Sequence, residues 1–237
     1  MFLTKHEHIN PRAVFRGTII LTILLILGFA GADGFLFDLT RPFSDWKIWA
    51  WTDSVGQWKY IAAAALLAFI AAKIYRFATT NKLGLEKLSA NIFCAVVLAE
   101  GLVGAIKLAV GRLRPPFHAF DPFSMSDIAH SFPSGHTAGA FAALVSIGLL
   151  YPRLKPVSWT IAAIAGIGRV CYGAHWPTDV LAGAFIGALS ADIIVYVRHR
   201  HRYQVSGNRY QEVCICCKAL SYNLHCTPDT CFQIPDT

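Results

Sequence analysis

Six apolar segments recur along the chain: Thr18 to Phe37, Tyr60 to Tyr75, Leu88 to Leu108, Ser134 to Tyr151, Val157 to Tyr172 and Thr178 to Val197. Polar joints separate them. The third and sixth reach the ~20 residues that a helix needs to cross a hydrocarbon core. The others are shorter or interrupted, as Asp33 and Gly34 interrupt the first. Taken singly, the short segments also suit buried helices of a soluble bundle. Six in series predict an all-α fold, a six-transmembrane-helix bundle.

That pattern divides the chain into a cytoplasmic N-terminus over residues 1–17, a membrane domain over 18–202 and a cytoplasmic cysteine-rich tail over 203–237. The first segment also has features of a signal peptide: Lys5, Arg12 and Arg16 precede it, and Ala30-Gly31-Ala32 mimics a cleavage site. The reading adopted is an uncleaved first span. Residues 38–59 hold Trp46, Trp49, Trp51 and Trp58. Such a tryptophan-rich stretch suits the outer headgroup level, where the ring is half buried and its N–H stays wet.

Basic residues orient the bundle. With the N-terminus inside, the inner joints collect Lys5, Arg12, Arg16, Lys73, Arg76, Lys82, Lys87, Arg153, Lys155, Arg198, Arg200, Arg202, Arg209 and Lys218, which is 14 of the 21 Lys and Arg. This agrees with the positive-inside rule. On the outer side Lys107, Arg114 and Arg169 have a chemical use, and four other cations do not.

Composition supports the bilayer: 55% of residues are hydrophobic and only 15% charged, against roughly 25% charged in soluble domains. The net charge of +7 comes with no basic stripe interleaved with aromatics, so no nucleic-acid partner is expected. Five of the seven cysteines, Cys214, Cys216, Cys217, Cys226 and Cys231, crowd the tail without the paired spacing of a zinc ribbon. A flexible, reduced appendage is the expectation. No metal site and no cofactor are expected.

Three polar clusters break the apolar pattern. Lys107 to Arg114 opens the loop after the third segment, Pro133-Ser134-Gly135-His136 closes that loop, and Arg169 to Asp179 joins the fifth segment to the sixth. Since the fourth and fifth segments cross once each way, both loops meet at one surface, the extracytoplasmic one. Lysine offers a point charge, and arginine a planar fork that matches two phosphate oxygens. Ser134 can cap the fourth helix, whose first N–H groups and dipole favour an anion, and Gly135 would let a phosphate approach the backbone. His175 and Asp179 stand four apart around Pro177, so Asp179 can hold the imidazole in one tautomer and leave the other nitrogen free to attack.

Lys107 to Pro115 reads K-x6-R-P, Pro133 to His136 reads P-S-G-H, and Arg169 to Asp179 reads R-x5-H-x3-D. Together these resemble the type 2 phosphatidic acid phosphatase superfamily, which includes bacterial lipid phosphatases and vanadium haloperoxidases. The motifs cover residues 107–179, and the segment pattern extends the resemblance to roughly 14–200. One departure is Gly168, where the family often carries serine. The resemblance implies that His175 is a nucleophile forming a phosphohistidine, oriented by Asp179, and that His136 is the general acid for the leaving oxygen. Lys107, Arg114, Arg169, Ser134 and the Gly135 backbone would hold the phosphate oxygens, without a metal.

The expected partners are a lipid phosphate substrate and the bilayer. The expected activity is hydrolysis of a lipid phosphomonoester or diphosphate, with undecaprenyl diphosphate, phosphatidylglycerol phosphate, phosphatidic acid and lipid A phosphates all compatible. The alternative is transfer of the phosphoryl group to another lipid at the same site. The expected location is a bacterial inner membrane with the site facing the periplasm or exterior. Oligomeric state is left open. Glu100, two helical turns before Lys107, is a candidate for channel or relay work or for an interhelical hydrogen bond. Asp192 is expected to be structural. His118 and His130 are loop residues within reach of a headgroup.

Overall fold

The computed structural model describes residues 11–45, 49, 57–78 and 84–219, with side chains described no further than Arg198. Among these residues the chain is helical, and its one β-pairing is an isolated bridge between Arg112 and Phe120. The helices are α1 (Pro11–Leu27), α2 (Asp33–Thr40), α3 (Trp58–Ala78), α4 (Gly84–Val110), α5 (Gly135–Leu150), α6 (Lys155–Cys171) and α7 (Pro177–Ala219). From α3 onward each begins within four residues of an expected segment. Trp46, Trp51, the first ten residues, Cys226 and Cys231 lie outside the described residues.

The first apolar segment is two helices rather than one. Between α1 and α2 the chain makes a π-helical turn, Gly28–Ala32, with Gly31 at φ 122°. Only glycine adopts that conformation without strain, so the kink falls there. Its consequence is to bring Asp33, at the start of α2, to a position only 1% exposed.

Among the described residues, four stretches are long and apolar enough to cross a membrane: Val14–Phe43, Trp58–Tyr75, Leu85–Val110 and Pro177–Arg198. The helices α5 and α6 have 16 and 17 residues. At 1.5 Å per residue they reach about 24–26 Å, less than the ~30 Å of a typical hydrocarbon core. The outer surface is apolar, with Ile19, Ile23, Leu67, Ile74, Ile161 and Ile164 exposed. Lipid tails can cover such side chains, whereas water would penalise them.

The core is made of small residues. Ala95, Ala99, Ala138, Ala142, Ala162, Ala188 and Ala191 form its centre, with Val96, Val103, Val145 and Phe141 filling between them. Close backbone approach replaces large side-chain interdigitation, as is usual for helices packed within lipid. Such an approach brings α5 against α7. A Cβ on Gly183 would lie 2.4 Å from the Ser134 carbonyl oxygen, and one on Gly187 would lie 2.3 Å from that of Ala138. This contact holds the N-terminus of α5 against the first turns of α7, where the chemical residues are.

The chain separates into two compact units, residues 1–196 and 197–237. The site lies within the first. In the second, helical backbone continues to Ala219, beyond the expected end of the membrane domain at residue 202. The side chains of Cys214, Cys216 and Cys217 lie outside the described residues.

Candidate active site

Pro177 opens α7 at a position where its missing N–H costs no helical bond. The preceding turn presents His175 and Trp176, and the first turn of the helix presents Asp179. His175 is 1% exposed and Asp179 fully buried. The His175 Nδ1 lies 2.9 Å from the Ser131 carbonyl oxygen. A carbonyl can only accept, so Nδ1 carries the proton and Nε2 keeps the lone pair. Burial above all pushes the His175 pKa down to about 3; Lys107 and Arg114 lower it further, while Asp179 opposes them. The imidazole is therefore neutral, as a nucleophile must be.

The expected partner of that ring is one step removed. Asp179 Oδ2 is 3.6 Å from Nδ1, beyond hydrogen-bond length, and the Ser131 carbonyl takes the direct role. Asp179 is held by three other donors. Its Oδ2 accepts from the Ser131 hydroxyl at 2.5 Å and from the Trp176 N–H at 2.9 Å, and its Oδ1 accepts from Arg112 Nη1 at 2.7 Å.

Of the three cations, Arg114 links the two loops. Lys107, near the end of α4, donates from Nζ to the His130 carbonyl at 2.5 Å. Arg114 donates from Nε to the Asp127 carbonyl at 3.2 Å and from Nη1 to the Ala174 carbonyl at 3.1 Å, next to His175. Arg169 is buried at the end of α6, its guanidinium 5.7 Å from the Tyr172 ring centre. Lys107 lies within electrostatic reach of Arg114, Arg169 and Asp179. Lys107 and Arg114 thus lie within electrostatic reach of His175, and Arg169 within that of Lys107.

Ser134 caps α5. Its hydroxyl accepts from the Thr137 N–H at 3.5 Å and from the Thr137 hydroxyl at 3.0 Å, while its own N–H donates to the Asp179 carbonyl at 3.0 Å. That last bond ties the P-S-G-H loop to α7. Gly135 and the half-buried His136 follow in the first turn of α5. Glu100 stands against this turn: a Cβ on Gly135 would lie 3.0 Å from its Oε2. Its Oε1 is buried without a hydrogen-bond partner among the described residues.

Sequence reasoning missed Arg112, Ser131, Thr178 and Asp33. Arg112 was one of the four outer cations without a use, yet it is 5% exposed and joins Asp179 to Asp33. The available signal was a lone carboxylate in an apolar segment, which needs a buried cation to balance it. The two extra histidines also have partners. His130 Nε2 sits 2.9 Å from the Ser124 carbonyl. His118 packs at a tilt against Trp176 with ring centres 4.2 Å apart, and it lines a cleft of about 200 Å³ with Phe37, Asp38, Arg41 and Pro115.

Fold and site together define a helical integral membrane protein with a buried histidine–carboxylate pair among converging cations. Residues 88–203, just under half of the chain, match the PAP2 superfamily model, so the chain carries a PAP2 superfamily domain there. It is 39% identical over 107 residues to a lipid A 1-phosphatase of Rhizobium johnstonii, covering 43% of this chain and 44% of that protein. It is 40% identical over 119 residues to a lipid A 1-phosphatase of Rhizobium etli, covering 47% of this chain and 51% of the relative. The matched region thus spans about half the length of these relatives. The fold is similar to the crystal structure of a transmembrane PAP2-type phosphatidylglycerolphosphate phosphatase from Bacillus subtilis. The TM-score is 0.57 at 20% identity, over 79% of this chain and 96% of the other.

Proposed function

We propose that this protein is a membrane lipid phosphate phosphatase working through a phosphohistidine. The observation that carries the reading is the state of His175: Nδ1 is committed to the Ser131 carbonyl, so Nε2 faces its reaction unprotonated. Lys107, Arg114 and Arg169 receive the phosphate oxygens, and the capped N-terminus of α5 at Ser134 and Gly135 adds N–H donors. Nε2 attacks phosphorus as the ester P–O bond breaks, and His136 gives its proton to the leaving oxygen. Water then attacks the phosphohistidine, His136 takes a proton from that water, and phosphate departs. The cations supply the charge stabilisation that a metal supplies elsewhere.

In this reading all six apolar segments cross a bacterial inner membrane, and the catalytic loops face the periplasm. Residues 203–237 stay on the cytoplasmic side and take no part in catalysis. The substrate is a phosphate on a lipid headgroup, with lipid A 1-phosphate first in the order of testing because the two Rhizobium relatives carry that name.

The test is phosphate release by the purified full-length protein from lipid A, undecaprenyl diphosphate, phosphatidylglycerol phosphate and phosphatidic acid, with and without excess EDTA. Release from at least one lipid that survives EDTA and vanishes in His175→Ala is expected. Activity lost to EDTA and restored by magnesium or zinc would overturn the mechanism.

A further inference from the structure

Arg112 is enclosed by the first apolar segment, which lies outside the PAP2-matched residues 88–203. Its Nη2 donates to Asp33 Oδ2 at 2.7 Å while its Nη1 donates to Asp179 Oδ1 at 2.7 Å. Phe29 covers one side of the guanidinium at 4.7 Å from the ring centre, and Trp176 lies at 5.3 Å. Thr178 closes the group. Its N–H donates to Asp33 Oδ1 at 3.0 Å, its hydroxyl donates to Asp33 Oδ2, and Arg112 Nη1 reaches the same hydroxyl at 2.8 Å. Gly28 permits the approach, since a Cβ there would fall 2.1 Å from the Thr178 methyl.

Breaking a buried charge group by removing one member is costly, and a well-packed apolar replacement is often no worse for stability. A buried Asp–Arg–Asp chain therefore asks for a use beyond holding helices together. Charge counting supplies one. When His175 Nε2 bonds to phosphorus with Nδ1 still protonated, the ring becomes cationic. Two carboxylates and one guanidinium leave one negative charge beside it. With Asp33 neutralised, Arg112 would face Asp179 alone and cancel that charge.

From this we infer that Asp33, acting through Arg112 and Thr178, is a positioning residue for the reaction at His175. It holds Asp179 in place and preserves its net charge against the imidazolium. The first apolar segment is accordingly part of the working site and not only a membrane anchor. The inference rests on the phosphohistidine reading above.

The experiment compares two probes of one site in detergent-purified full-length protein. Vanadate accepts an axial bond from a histidine nitrogen and so reports on Nε2, whereas inorganic phosphate reports only on the cations. For Asp33→Asn and Thr178→Val, vanadate affinity should fall about tenfold or more, with phosphate affinity within about twofold of the unchanged protein. The double variant should lose about as much as Asp33→Asn alone, because both act through one chain. A purely structural role would weaken both anions together, and that result overturns the proposal. Vanadate binding unchanged in both variants overturns it as well. If Asp33→Asn is not recovered folded, Thr178→Val, which keeps shape and volume, decides alone. The parent reading fails differently: His175→Ala would then bind vanadate as tightly as the unchanged protein, whatever Asp33→Asn does.

Discussion

Ser131 meets Asp179 through its hydroxyl, at 2.5 Å from Oδ2, while its own carbonyl accepts from His175 Nδ1 at 2.9 Å. One loop residue thus serves the carboxylate and the imidazole at once, and the relation of Asp179 to His175 runs through it. Ser131→Ala keeps the carbonyl and removes the hydroxyl. A hydrogen bond to a charged group contributes ~1.5–3 kcal/mol, and the variant should lose about that much stability. Turnover should fall roughly tenfold, since ~1.4 kcal/mol of transition-state stabilisation corresponds to that factor. Thermal unfolding and steady-state rates on the best lipid of the panel check both. Unchanged turnover would show that Asp179 needs no support from Ser131.

The two histidines should separate by leaving group. His175→Ala should form no phosphoenzyme with any substrate, because the attacking nitrogen is gone. His136→Ala should lose ~10²–10⁴ in rate on lipid phosphates, the usual contribution of a general acid. It should recover much of its activity on p-nitrophenyl phosphate, whose phenolate departs without a proton. Acid-labile, base-stable phosphate trapped on His175→Ala, or rescue of that variant by the aryl ester, would reverse the two assignments.

Acid should destabilise the fold partly through His175. The unfolded imidazole takes up a proton near 6.5, whereas the buried one does so only near 3. Between those values the unfolded chain binds more protons, so stability is full above about pH 6.5 and declines as pH falls toward 3. His175→Asn removes that titration. Melting temperature should therefore fall less between pH 7 and pH 4 in His175→Asn than in the unchanged protein. Parallel curves would refute the assignment.

Gly187→Val should prevent correct assembly. Its Cβ would meet the Ala138 carbonyl oxygen at 2.3 Å and the Phe141 Cβ at 2.8 Å, and backbone cannot move aside as a side chain can. Aggregation on size-exclusion chromatography is expected, against a monodisperse peak for the outward-facing Leu181→Val. A monodisperse, active Gly187→Val would mean that α5 and α7 do not cross as described.

The orientation of the loops is open to labelling. With native cysteines replaced, His118→Cys and Asp127→Cys should react with a membrane-impermeant maleimide added to intact cells. Both side chains are exposed on the loop that carries Arg114. Reaction only after the inner face is opened would invert the proposed topology.

Much of this protein was legible along the chain. Apolar runs mark where helices form, because backbone groups in lipid must be satisfied within a segment. Polar breaks mark the loops, and spacing is enough to bring Lys107, Arg114, Arg169 and His175 to one end. The helical ends at Ser134 and Pro177 were equally local, since a cap and a first-turn proline act on their own neighbours. What only tertiary structure decided was the choice of partners. His175 bonds a carbonyl 44 residues away instead of the carboxylate four residues on, and Arg112 bridges to an acid 79 residues back. The kink at Gly31 and the close crossing of α5 and α7 bring these groups within reach. Those distances depend on how helices pack, and periodicity along a single chain carries no record of it.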